Sequence, residues 1–206
     1  MAMMSFKLDG IEEAKKLCSA RLFNEILKYT VQDIAKGTRV AIKEKIQEGY
    51  NIKPGDLNAA MKVKGTGNPL EQVIEVRDAD KRGIPIFKLA GRAAVQTKEG
   101  VWAEVRKGRA KAFTQAFISV MKTGHKGVFI RYRGGSGKGG RMTRRDIGSH
   151  GRQGRNPPIH EIYGPRITSL VGDDVIKRQI DQWLSANVQR IFNQKLAWKT
   201  GGMLGK

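Results

Sequence analysis

Apolar side chains return every three or four positions near the start of the chain: Ile11, Ala14, Leu17 and Cys18, then Leu22, Ile26, Val31, Ile34, Thr38, Ala41, Ile42 and Ile46. That spacing gathers them on one side of a helix. Asp9, with Glu12 three residues on, has the form of a capping box and predicts a helix start. No proline interrupts the stretch, and Gly37 is the one glycine inside it, where the element could bend or split. Unbroken, the helix would run about 35 residues and roughly 50 Å. That is long for a domain of this size and would suit an element that reaches out to pack on neighbouring copies. Divided, it would be two ordinary helices folded back on each other.

The segment Tyr50-Asn51-Ile52-Lys53-Pro54-Gly55-Asp56-Leu57 ends this pattern. Pro54-Gly55 predicts a turn, and Asp56 can cap a short helix through Met61. The middle of the chain changes period. Val73–Val76, Ile84–Phe87, Ala94–Gln96, Trp102–Val105, Ala116–Val120 and Gly127–Ile130 are short, rich in β-branched and aromatic residues, and separated by Gly, Lys and Asp clusters. Such spacing predicts an antiparallel sheet or small barrel. Pro85 fits an edge or a strand start. Ile159 to Pro165 reads as ordered and extended. Asp173 or Asp174 then caps a last helix, whose apolar stripe is Val175, Ile176, Ile180, Trp183, Leu184, Val188, Ile191, Phe192, Leu196 and Trp198. Gly201-Gly202 breaks it. The expected fold class is therefore α+β: a central antiparallel sheet or small barrel flanked by a long N-terminal helix and a C-terminal helix. The whole chain, 1–206, reads as one domain. Its parts are the N-terminal helix (1–49), the helix-turn and strands (50–130), a glycine- and arginine-rich segment (131–157), and the extended segment with the C-terminal helix (158–206).

Charge changes the picture because it is uneven. The chain carries 39 Lys and Arg against 19 Asp and Glu, a formal charge of +20. Residues 1–50 hold nine basic and seven acidic side chains, whereas residues 101–155 hold fourteen and two. A local excess of this kind points to a polyanion, nucleic acid or an acidic partner surface, rather than to solubility alone. It is densest in residues 131–155, where eight of the residues are Gly and eight are Lys or Arg. With almost nothing to bury, that stretch predicts a loop ordered only by a partner. Arg131, Arg133, Lys138, Arg141, Arg144, Arg145, Arg152 and Arg155 are its candidate phosphate contacts, driven by counterion release. Tyr132 is its one aromatic, so contact with a duplex backbone is favoured over base stacking. On composition alone, DNA and an acidic protein surface both remain open as the partner.

Candidates for chemistry are few. The histidines, His125, His150 and His160, lack helical zinc spacing, and the single Cys18 offers no second thiol. Cys18 falls in the helical pattern and reads as a small apolar residue. His160-Glu161 could form a metal pair only with further ligands that the sequence does not supply. In Gly134-Gly135-Ser136-Gly137-Lys138-Gly139-Gly140 a glycine follows the lysine where a phosphate-binding loop needs Ser or Thr, and no helix follows. Glu104 and Asp146 are the only carboxylates in 101–155, too few for a two-metal nuclease. The expectation is a protein with no catalytic residues, no metal and no cofactor. No apolar run has the length of a membrane span, and no signal-peptide pattern opens the sequence.

Several segments, in order, resemble the minor tail protein Z family of lambda-like tailed phages and prophages. They are Tyr50–Leu57, Gly83-Ile84-Pro85-Ile86, Lys111-Ala112-Phe113 with Ala116-Phe117-Ile118, Met121–Phe129 and Pro158–Pro165. The most specific are Thr123-Gly124-His125-Lys126-Gly127-Val128-Phe129 and Ile162-Tyr163-Gly164-Pro165. With the N-terminal helix the likeness covers most of the chain, and the basic segment between the last two motifs is not part of it. The resemblance implies a structural virion protein of the head–tail junction, acting in tail completion. It would form a ring, often sixfold, and join other neck and tail proteins such as the tail terminator, head-completion protein and tail tube. Genomic DNA would lie in the lumen. Its location would be the virion, with the host cytoplasm as the place of assembly, and no membrane is implied. Within the resemblance Gly124, Gly127, Gly164 and Pro165 shape the backbone, while His125 and Tyr163 serve packing or interfaces. The other reading is a stand-alone nucleic-acid-binding protein whose basic loop orders on duplex DNA.

Overall fold

The structure, a computed structural model, describes residues 9–90, 94–131 and 159–201. The fold is α+β, with antiparallel strands and two long helices. The chain divides into two compact units. A helical unit is made of Met1–Lys81 and Pro165–Lys206, and a strand unit of Arg82–Gly164 is inserted between those two stretches.

In the helical unit, α1 (Ile11–Leu17) and α2 (Ala20–Gly49) carry the first apolar pattern. The break falls at Cys18, which is extended, and not at Gly37. Ser19 is the reason: its side chain accepts from the Leu22 amide at 3.3 Å and starts a new helix. Asp9 does not cap α1. Gly10 holds that position without a side-chain bond, and Asp9 instead exchanges backbone hydrogen bonds with the Gln189 amide group at 3.0 and 3.1 Å. Glu12, the other half of the expected box, pairs with Lys15.

Helix α2 runs 30 residues, about 45 Å. It does not project bare. Its buried stripe, which includes Phe23, Ile26, Ile34, Ala41, Ile42 and Ile46, is covered within its own unit, chiefly by α6 (Asp174–Lys199). Thr30 and Thr38 lie in that stripe, and each hydroxyl donates to the carbonyl four residues back at 2.8 Å, so neither hydroxyl is left unmet. The two helices are antiparallel: Glu25 meets Lys199, Asp33 meets Lys195, and Gly37 meets Trp183. Gly37 keeps the seam close, since a Cβ there would lie 2.5 Å from Trp183 Cη2. One core cluster joins Ala14, Phe23, Ile26 and Phe192, with the partly buried Cys18 packed against it.

Asp173 caps α6 by accepting from the Val175 amide at 2.8 Å. Val175 and Trp198, expected on its apolar stripe, are instead exposed, at the two ends of the helix. Helix α3 (Pro54–Ala60) starts at Pro54, so Pro54-Gly55 lies inside its first turn, and Lys53, not Asp56, is the cap residue. Met61 leaves the helix to open β1 (Met61–Gly65), which pairs with β2 (Gln72–Val76). Glu75 sits among Lys64 and Arg77 on this hairpin. The hydrogen bond from Lys64, joined by Arg77, holds its carboxyl below the usual carboxylate range despite some desolvation. Helix α5 (Ile167–Val171) has no cap of its own; Asp78 supplies one, accepting from the Thr168 amide at 3.1 Å and from its hydroxyl.

The strand unit holds α4 (Ile86–Ala90) and two three-stranded antiparallel sheets. One is β3 (Val95–Gln96), β4 (Gly100–Arg106) and β5 (Arg109–Thr114). The other is β6 (Ala116–Val120), β7 (Lys126–Arg131) and β8 (Ile159–Glu161). Among the described residues the strands form three small sheets and no closed barrel. Ile84–Phe87, expected as a strand, instead leads into α4. Pro85 fixes the entry, its carbonyl accepts from the Lys88 amide, and Ile86 and Leu89 are buried three residues apart. No described helix is long and apolar enough to cross a membrane.

Candidate nucleic-acid interface

The charge follows the division into units. Residues 82–164 contain eighteen basic and four acidic side chains, so the strand unit carries +14 of the +20. Of the eight candidate phosphate contacts, Arg131 is described. It ends β7, is exposed, and sets its guanidinium 5.2 Å from the Phe117 ring centroid. Cation–π contact of this kind orients the head group without removing its charge. Arg133, Lys138, Arg141, Arg144, Arg145, Arg152 and Arg155 lie outside the described residues, as do Tyr132, His150 and the glycine run 134–140. Arg131 is the Cα partner of Ile159 across the β7–β8 ladder. The basic segment therefore leaves the sheet and returns to it at adjacent positions on two hydrogen-bonded strands.

A second group of cations went unassigned in the sequence reading. Arg106, Lys107 and Arg109 form the exposed tip of the β4–β5 hairpin, with Lys111 two residues further along β5. The tip is held in shape by the Gly108 amide, which donates to Glu104 Oε1 at 2.7 Å. The signal was present in the sequence, since these four residues belong to the same 101–155 excess. It was overshadowed by the denser stretch downstream.

Three segments that carry the family resemblance come together at the other end of the β7–β8 ladder. The Ile162 amide donates to the Val128 carbonyl at 2.9 Å, the Ile86 amide to the Ile162 carbonyl at 3.0 Å, and the Gly164 amide to the Ile84 carbonyl at 2.7 Å. Pro85 forms a bridge with Tyr163. Glu161, whose side chain is only 11% exposed, lies at the centre. Its Oε1 is 2.8 Å from His125 Nε2, and its Oε2 accepts from the Tyr163 hydroxyl at 2.8 Å. With the carboxylate ionised, the imidazole nitrogen is the donor. Arg82 lies 4.5 Å over the Tyr163 ring, and His125 meets Phe129 edge-on. Gly127 makes room for all of this: a Cβ there would be 2.7 Å from Glu161 Oε1 and 2.9 Å from Phe129 Cζ. Gly124, at φ 80, turns the β6–β7 hairpin that presents His125.

This cluster is arranged as a latch. Both carboxylate oxygens of Glu161 are engaged by neighbours. His160 cannot join Glu161 at one metal, because adjacent strand residues point to opposite faces. Among the described residues no group of three or more His, Cys, Asp or Glu could hold a metal ion. No family model, curated protein or solved structure matches this chain.

Proposed function

We propose that this chain is a structural subunit of a phage neck or tail. It forms a ring, sixfold by analogy with the family it resembles, and acts in tail completion beside other neck and tail proteins. The basic segment that begins at Arg131 faces DNA, or a negatively charged lumen, through Arg131, Arg133, Lys138, Arg141, Arg144, Arg145, Arg152 and Arg155. The observation that carries this reading is the convergence of Gly83–Ile86, Thr123–Phe129 and Ile162–Pro165 on the Glu161 latch. The residues that make the resemblance specific hold one another in place, which supports a packing role for them. The concentration of charge in the same unit supports a polyanion as neighbour.

The test is assembly. The purified chain should form a defined oligomer in light scattering, alone or with tail proteins, and images of mature particles should carry it at the head–tail junction. A strict monomer that never enters a particle would refute the connector reading. Replacing Arg141, Arg144 and Arg145 with Ala should lower both duplex binding and particle yield. If neither changes, the basic segment has no such role. A monomer that binds duplex with steep salt dependence would favour the stand-alone nucleic-acid-binding protein instead.

A further inference from the structure

We infer that the β4–β5 hairpin is a second nucleic-acid contact, separate from the segment after Arg131, and that it takes a single strand. The argument begins with Trp102. It lies in the middle strand of its sheet, yet is 44% exposed. The ladder places Val95 on one side of it and Ala112 on the other, and Val95 is 57% exposed. The opposite face of the same strand is closed, with Val101 and Ala103 fully buried. One face of the sheet therefore belongs to the core, while the other presents an indole flanked by small or aliphatic neighbours. A flat aromatic surface at such a place can stack an unpaired base whatever its identity.

The second observation is charge. From Trp102 to Arg106 is four strand residues, about 13 Å, so the cations of the tip lie within reach of a strand passing over the indole. Arg106 and Arg109 stand opposite each other on the last rung, with Lys107 between them in the chain. The occupant that fits both features is a chain of phosphates with free base faces. A duplex offers the phosphates but keeps its base faces covered. An acidic peptide satisfies the cations and leaves the indole bare.

The experiment uses the full chain and a fluorescein-labelled oligo-dT, titrated by anisotropy across a range of salt, beside a blunt duplex of equal length. It is run in the wild-type chain and in one carrying Arg141→Ala, Arg144→Ala and Arg145→Ala, so that the hairpin can be read without that segment. Trp102→Ala should weaken oligo-dT binding roughly five- to hundred-fold and leave the salt slope unchanged. Trp102→Phe should restore most of the affinity. Arg106→Ala, Lys107→Ala and Arg109→Ala together should reduce the slope of log K against log salt by about two, at 0.7 per phosphate for single strands. Equal oligo-dT binding by wild type and a folded Trp102→Ala chain, or an unchanged slope in the triple variant, would overturn the inference. A chain that assembles into tails but ignores oligo-dT sinks this inference alone. One that binds oligo-dT through Trp102 but never assembles sinks only the connector reading.

Discussion

Replacing Gly37 with Ala tests the seam between the two long helices. In an open helix interior this change stabilises by about 1 kcal/mol, because Ala loses less backbone freedom on folding. Here the added methyl would sit 2.5 Å from Trp183 Cη2 and 3.0 Å from Cζ2. Carbon atoms in contact rest about 3.5–4.0 Å apart, so the indole or the helix must move by roughly 1 Å. Overpacking of this kind costs about 1–3 kcal/mol. The two effects oppose, and Gly37→Ala should leave the protein about 0–2 kcal/mol less stable. The sign should reverse in a Trp183→Phe background, where the outer edge of the indole is absent and the helix gain of about 1 kcal/mol is left alone. Urea unfolding of the four chains in the cycle, followed by far-UV circular dichroism, measures the coupling directly. If Gly37→Ala stabilises both backgrounds equally, the close approach of α2 and α6 at this point is wrong.

Two further outcomes follow from the core and from charge. Phe192→Ala opens the cluster of Ala14, Phe23 and Ile26 and should cost about 3–5 kcal/mol, read as a fall in the calorimetric midpoint; a loss under about 1 kcal/mol would contradict its place in the core. Glu75, held below the usual carboxylate range first by Lys64 and then by Arg77, contributes stability above its unfolded pKa that is lost as pH falls through the lower folded value. Thermal melts of wild type and Glu75→Gln should therefore differ near neutrality and converge in acid, and parallel curves across that range would show that the carboxylate carries no such linkage.

How much of this was legible in the sequence depends on the range of the interaction that decides each feature. Helix α6 was readable because its stripe, its Asp173 cap and its glycine stop are all local. The strands β2, β4, β6 and β7 were readable because β-branched runs and turn residues alternate within a few positions. The local signals failed where a remote partner intervened. Asp9 and Glu12 have the spacing of a capping box, but Asp9 is held by Gln189, 180 residues away. Ile84–Phe87 has strand composition, but Ile86 and Leu89 are drawn together into the core as one helical face. Asp78 caps α5 from 90 residues upstream, and no window of sequence contains both.

The candidate sites divide along the same line. The excess of cations in 101–155 is a property of composition and needed no fold to be seen. That Arg106, Lys107 and Arg109 share a hairpin tip near an exposed Trp102 is a matter of register, which the β4–β5 pairing sets. That His125, Glu161 and Tyr163 form one latch depends on β7 lying between β6 and β8, a long-range pairing. By itself, then, the sequence determined the helical and strand periods, the strongly basic character and the uneven placement of charge, because these are written in neighbouring residues. Only the tertiary structure decided why Gly37 and Gly127 must lack a side chain, and which distant residues share a carboxylate. Each of those is a contact between groups that the chain brings together only on folding.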